Sequence, residues 1–220
     1  MVSPAEQTET KNPEADRMPK LPLDLLLFDV QLVCFDLDYT LWDLWIDTHV
    51  TPPLKRKGDA VNALHDRYAR SLLPSAAHIA TLRSLGDISE LAFYREVPDV
   101  LAELQKSKIH IAAASRTHAP DLAREALRLL LIPQEKGSAK MAKAITFFET
   151  MEIYPGSKLR HFKSIHAKTG IPYSEMLFFD DEARNKEVES LGVTMHLVRN
   201  GVDRSAFSKG VAEWRKRNGR

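Results

Sequence analysis

Short apolar runs alternate along the chain with longer stretches of helical period. Gln31–Phe35 (QLVCF) is a compact apolar run with the flanks of a buried strand. Val97–Lys106 carries apolar residues at 97, 100, 101 and 104, one face of a helix. Ile109–Ala114 (IHIAAA) predicts a second strand, and Leu122–Leu131 a helix that Pro133 stops. Ser138–Phe148 and Lys158–Lys168 predict two more helices, the latter preceded by a Gly156-Ser157 capping turn and ended by Gly170. Met176–Phe179 (MLFF) predicts a third strand, Glu182–Leu191 a helix closed by Gly192, and Val193–Val198 a fourth strand. A last helix, Ser205–Arg217, carries Phe207, Val211 and Trp214 on one side. Strands alternating with helices imply an α/β fold, a mainly parallel sheet with helices on both faces.

Two stretches fall outside this rhythm. Residues 1–22 are rich in Pro, Glu, Thr and Lys without apolar period, which predicts a disordered tail ahead of one domain spanning 23–220. Residues 54–93 form an insert with a helix-like piece, Ala76–Leu85, and several basic residues; a small cap, a partner surface and a flexible loop all fit it.

Composition narrows the function classes. With 31 basic against 30 acidic residues, no overall field favours nucleic acid or membrane. The single Cys34 excludes an internal disulfide and a thiolate zinc site, and points to a reducing compartment. No apolar run approaches the ~20 residues that span a bilayer. Glu6, Glu9, Glu14 and Asp16 argue against an organelle transit peptide. The expectation is a soluble cytoplasmic monomer; the closing RKRNGR is read as a solvated end, with a nuclear signal as the alternative.

Candidate chemistry sits where the strands end, the edge at which parallel sheets bind ligands. The stretch Val33–Val50 (VCFDLDYTLWDLWIDTHV) holds four aspartates in an apolar, aromatic setting, where an uncompensated carboxylate costs several kcal/mol. Asp36 and Asp38 follow the first strand directly. Ser115-Arg116-Thr117 follows the second and Asp180-Asp181-Glu182 the third, while Gly156-Ser157-Lys158 opens a helix between them. Carboxylates from two strand ends are the hard oxygen ligands Mg²⁺ prefers, so a metal would compensate Asp36 and Asp38. Asp43 and Asp47 lie off the strand ends and read as capping or surface hydrogen-bond groups. Of two lysines on one predicted helix, five residues apart and about 140° around it, only one can face the site. Lys158, at the helix start, is preferred over Lys163. Trp42 and Trp45 read equally as a wall for a leaving group or as packed aromatics, and Cys34 as a buried, inert thiol.

The DxDxT pattern at Asp36–Thr40, the later Ser, the Lys and the acidic pair resemble the haloacid-dehalogenase (HAD) superfamily of aspartyl-phosphate phosphatases. The blocks FDLDYTLW, AAASRT, IYPGSK, HF…KTG and FFDDE.RN resemble, more closely, the eukaryotic magnesium-dependent phosphatase-1 family over about residues 31–53 and 94–200. The resemblance implies a HAD-like Rossmannoid three-layer α/β/α sandwich with a minimal cap. It gives Asp36 the role of nucleophile and Asp38 that of acid and base, with the Asp38 backbone carbonyl also on the metal. It implies Asp36, Asp38 and Asp181 as Mg²⁺ ligands, with Asp180 in support. Ser115, Arg116, Lys158 and the backbone of Leu37 and Asp38 would hold the phosphoryl group. Implied substrates are aryl phosphates such as phosphotyrosine, or phosphorylated sugars. The 54–93 insert is longer than that family's loop. A receiver-type phosphoacceptor domain is the non-catalytic rival, but its acidic pair should follow the first strand, the reverse of the order here. A dehalogenase would need neither Asp38 nor the acidic pair, and a phosphomutase usually needs a substantial cap.

Overall fold

The computed structural model of the chain describes residues 30–56, 63–65, 90–134 and 139–220. The tail at 1–22 and the helix-like piece at 76–85 lie outside the described residues. The elements run β1 (Leu32–Phe35), a one-turn α1 (Ile46–His49), β2 (Lys55–Arg56), β3 (Leu64–His65), β4 (Glu90–Leu91), α2 (Val97–Lys106) and β5 (His110–Ser115). They continue with α3 (Pro120–Leu129), β6 (Leu131–Pro133), β7 (Met141–Lys143), β8 (Thr150–Ile153), α4 (Lys158–Thr169), β9 (Met176–Asp180), β10 (Thr194–Leu197) and α5 (Arg204–Arg217).

Five strands form the central sheet in the order β10-β9-β1-β5-β8, every neighbouring pair parallel. Because side chains alternate across a strand, β1 feeds two cores. Val33 and Phe35 face the layer containing α2, α3 and α5, through Leu101, Leu127, Phe207 and Trp214. Leu32 and Cys34 face the layer of α4 and the 3-10 segment Ala183–Leu191, through Phe162, Ile165 and Val188. The result is a three-layer α/β/α sandwich. From β1 the chain winds outward to β5 and β8, then returns to β9 on the other side of β1. That reversal makes the carboxyl ends of β1 and β9 the switch point, where such sheets bind ligands. Within the insert, the described residues form a three-stranded antiparallel sheet, β2-β3-β4, whose Leu54, Leu64 and Leu91 join the first core.

Four readings need correction. Ser138–Phe148 is not a helix: Met141–Lys143 pairs antiparallel with Leu131–Pro133, and Ala144–Phe147 makes a 3-10 turn burying Ala144 and Phe147. Helical spacing of apolar residues was a weak prior there, and strand pairing overrode it. The helix expected over Leu122–Leu131 begins at Pro120 and ends at Leu129, leaving Leu131 free to enter β6. Thr150–Ile153, not anticipated as a strand, is the edge of the central sheet beside β5. The helix expected over Glu182–Leu191 is wound as 3-10 from Ala183 and does stop at Gly192.

Candidate active site

The ladder outlasts β1 by one bond: the Asp36 N–H donates to the Phe179 carbonyl at 2.9 Å, holding Asp36 at the sheet edge. The chain then turns sharply, with the Leu41 N–H donating to the Leu37 carbonyl at 2.8 Å and Tyr39 at φ 51°, a left-handed conformation costly outside glycine. This turn sends Asp36 and Asp38 to one cavity and the Leu37 side chain into the core. The cavity measures about 350 Å³ and is also lined by Ser115 and Arg116 from the end of β5, Lys158 from the start of α4, and Asp181 beyond β9. The side chains expected from the sequence to contact phosphate or metal therefore share one space, while Leu37 is not among the residues that line it. Lys163 is exposed on α4.

Lys158 is fully buried. Its Nζ donates to Asp36 Oδ1 at 2.6 Å and to the Ala114 carbonyl, and lies 3.1 Å from Asp180 Oδ2. Burial opposes the ammonium charge, but Asp36 and Asp180 outweigh it and lift the pKa above the usual lysine value. Burial pushes the Asp36 carboxyl up, and Lys158 pulls the other way. Asp38 sits at about 6, raised by burial against the hydrogen bonds of Trp42 and Ile46. Asp181 also sits at about 6, raised by burial and then by the charge of Asp180.

Asp180 and Asp181 divide as their alternation on the strand suggests. Asp180 is fully buried and accepts from Asn185 Nδ2 on both oxygens, at 2.9 and 2.8 Å. Asp181 is half-buried and lines the cavity. Asn185 also accepts from Arg116 Nη1 at 3.1 Å, tying the guanidinium to the β9 end. Its place five residues after Asp180, in the quoted block FFDDE.RN, was the available signal for this bridge. Asp43 accepts from the Tyr94 hydroxyl at 2.9 Å, and Asp47 accepts from the His118 N–H at 3.1 Å on the cavity rim. Trp45, 49% exposed, forms part of the same rim with its edge against Tyr39. Trp42 is instead fully buried and donates its indole N–H to Asp38 Oδ1 at 2.7 Å.

The donor set bears on a metal. Asp36, Asp38 and Asp181 converge on a cavity where Lys158 is paired with Asp36 and Asp180 and Arg184 with Glu182, which leaves the Arg116 guanidinium, bonded to the neutral Asn185, against Asp38, Asp47 and Asp181. Negative charge is left in excess, which a cation would offset. Among the described residues no three His, Cys, Asp or Glu side chains close into a metal cage. Carboxylates spread around an open cavity instead suit a hard ion that keeps several of its waters, as magnesium does. A second cavity of about 450 Å³, beside His110 and Lys168, has its polar groups paired among themselves: His110 with Glu149 and Thr150, Lys168 with Glu152.

A family model described as Acid Phosphatase matches residues 30–217. A HAD-like hydrolase superfamily protein of Schizosaccharomyces pombe is 44% identical over 179 residues, covering 80% of this chain and 91% of that protein. Human magnesium-dependent phosphatase 1 is 37% identical over 187 residues, covering 84% of this chain and 88% of its own length. Among solved structures, a HAD family enzyme of Bacteroides thetaiotaomicron in its magnesium complex aligns with a TM-score of 0.47 at 16% identity, over 80% of this chain and 96% of that one.

Proposed function

The chain belongs to the Acid Phosphatase family of HAD-like hydrolases, and from that premise we propose a magnesium-dependent phosphomonoesterase that works through a covalent phosphoaspartate on Asp36. The observation that carries the reading is the 2.6 Å pairing of Asp36 with buried Lys158, in a cavity shared with Asp38, Ser115, Arg116 and Asp181. Lys158 occupies Asp36 Oδ1 and leaves Oδ2 to attack phosphorus. The bond from phosphorus to the ester oxygen breaks as the Asp36–phosphorus bond forms, and Asp38 protonates the departing oxygen. Asp38 then takes a proton from water, whose oxygen attacks phosphorus and returns Asp36 to a carboxylate. Ser115, Arg116 and the backbone N–H groups of Leu37 and Asp38 would hold the equatorial oxygens, and Lys158 beside Asp36 would supply a fixed positive charge that stabilises the transferring group. Asp36, the Asp38 carbonyl and Asp181 would hold magnesium, which when bound supplies positive charge that screens the carboxylates from the incoming phosphate.

The exposed ring of Trp45 beside the cavity favours leaving groups with a flat or ring-shaped body: aryl phosphates, phosphotyrosine included, and sugar phosphates. No helix among the described residues is long and apolar enough to cross a membrane. A cytoplasmic monomer acting on phosphorylated small molecules or phosphotyrosine, without nucleic-acid or membrane partners, completes the reading.

The test is turnover of 4-nitrophenyl phosphate and of a sugar phosphate by the purified chain, with intact-mass analysis after a single turnover. Activity should vanish with chelator, return with Mg²⁺, and be abolished by Asp36→Asn. Full activity without metal, or phosphate found on any residue other than Asp36, overturns the proposal.

A further inference from the structure

Trp42 is placed to do more than pack. Its side chain is fully buried, stacked on Phe93 with ring centroids 6.1 Å apart, and joined to both Asp38 and Phe93 by isolated β-bridges. Its indole N–H donates to Asp38 Oδ1 at 2.7 Å, and the Ile46 N–H donates to the same oxygen at 3.2 Å. Both groups can only donate. A proton on Oδ1 would therefore meet two N–H groups head-on, so the proton of the neutral acid must sit on Oδ2, the oxygen left for the cavity. Two donors on one oxygen also fix the rotation of the carboxyl plane.

We propose that Trp42 is a positioning residue for the acid–base step, holding Asp38 by one oxygen so that the other carries and delivers the proton. The inference rests on the assignment of Asp38 as acid and base. Through its stack on Phe93, Trp42 also ties the returning end of the insert to the reacting end of the site. The sequence alone left Trp42 equally a wall or a core aromatic; its full burial makes it a core aromatic, and the direction of its N–H adds the contact with Asp38.

Trp42→Phe keeps an aromatic ring against Phe93 and removes only the donor. The measurement is the rate of the phosphorylation step in single turnover, with 4-nitrophenyl phosphate, whose leaving oxygen barely needs a proton, and with an alkyl phosphate, which needs one fully. Trp42→Phe should stay within about threefold of the unaltered chain on the aryl ester and fall at least tenfold on the alkyl ester. Added to Asp38→Asn it should cost nothing further, because it acts through the group already removed. If thermal melting shows that Trp42→Phe does not fold, 3-benzothienylalanine at position 42, with sulfur in place of N–H, makes the same test in an unchanged shape. Equal losses on both esters would mean a packing role and overturn the inference, as would an undiminished effect on top of Asp38→Asn. If Asp38→Asn itself shows no dependence on the leaving group, the acid–base assignment falls and the role of Trp42 falls with it.

Discussion

Replacing Lys158 by methionine removes a charge that three groups share. The ammonium lies 2.6 Å from Asp36 and 3.1 Å from Asp180, bonds the Ala114 carbonyl, and its side chain is 1% exposed. Methionine fills much of the same volume but leaves two buried carboxylates facing each other. Breaking a buried pair in this way costs about 3–5 kcal/mol. In a chain of this size that lowers the melting temperature by roughly 6–20 °C, at about 2–4 °C per kcal/mol. Turnover should fall by two or more orders of magnitude, because a fixed charge on the transferring group is worth about 3–4 kcal/mol. The two losses separate in the double variant Lys158→Met/Asp180→Asn. Removing one of the stranded carboxylates should recover half or more of the stability, and no activity. Lys163→Ala, on the exposed side of α4, should stay within about threefold in rate and about 0.5 kcal/mol in stability. Urea denaturation and steady-state turnover of an aryl phosphate measure both quantities. A Lys158→Met protein as stable as its parent, or a double variant that regains turnover, would refute the reasoning.

Two further outcomes follow from the packing. Gly201 (φ +73°) has the Tyr94 ring where a Cβ would stand, at 2.1 Å, and Tyr94 is itself held by Asp43; Gly170 (φ +70°) has open space. Gly170→Ala should cost about 1–2 kcal/mol from conformation alone, and Gly201→Ala at least about 1 kcal/mol more from the clash; equal urea midpoints would refute the difference. Glu152 is buried, but hydrogen bonds from Lys168, Tyr154 and Ser164 outweigh burial and hold its carboxyl below the ordinary 4.5. A depressed carboxyl contributes stability above its unfolded value and loses it as pH falls through the folded one. Glu152→Gln should therefore destabilise the chain at neutral pH and progressively less below 4.5; a constant difference across that range argues against the assignment.

The central strands β1, β5 and β9 were legible because each is a nearly unbroken apolar run, as strands buried on both faces must be, and the edge strand β10 because Val193, Met195 and Leu197 alternate after Gly192. β8 was not, because TMEI interrupts its apolar run with Glu152, whose burial is made tolerable by Lys168 on α4 together with Tyr154 and Ser164. β6 and β7 were hidden by helical spacing that their mutual pairing overrides. At the site, residue types following strands led to Asp36, Asp38, Ser115, Arg116, Lys158 and Asp181, because a parallel sheet gathers its strand ends on one edge. What the sequence withheld was direction. That Trp42 turns its N–H to Asp38, or that Asn185 bridges Arg116 and Asp180, depends on side-chain rotation, which residue type and spacing do not encode.

The reversal beside β1 sets the order in which the molecule can be completed as it is synthesised. Asp36 and Lys158 are 122 positions apart, and the second neighbour of β1 is β9, at Met176–Asp180. A nascent chain that has released β5 can pair one side of β1 with it, leaving the other side unpaired until β9 emerges. Over that interval β1 is an apolar edge able to recruit another chain, and for most of it, until Lys158 emerges, Asp36 lacks its counter-charge. Late closure of distant contacts also slows folding relative to a locally wired topology. A chain ended before β9 should therefore be both inert and prone to aggregate, and binding of such fragments by a chaperone should cease once β9 is included.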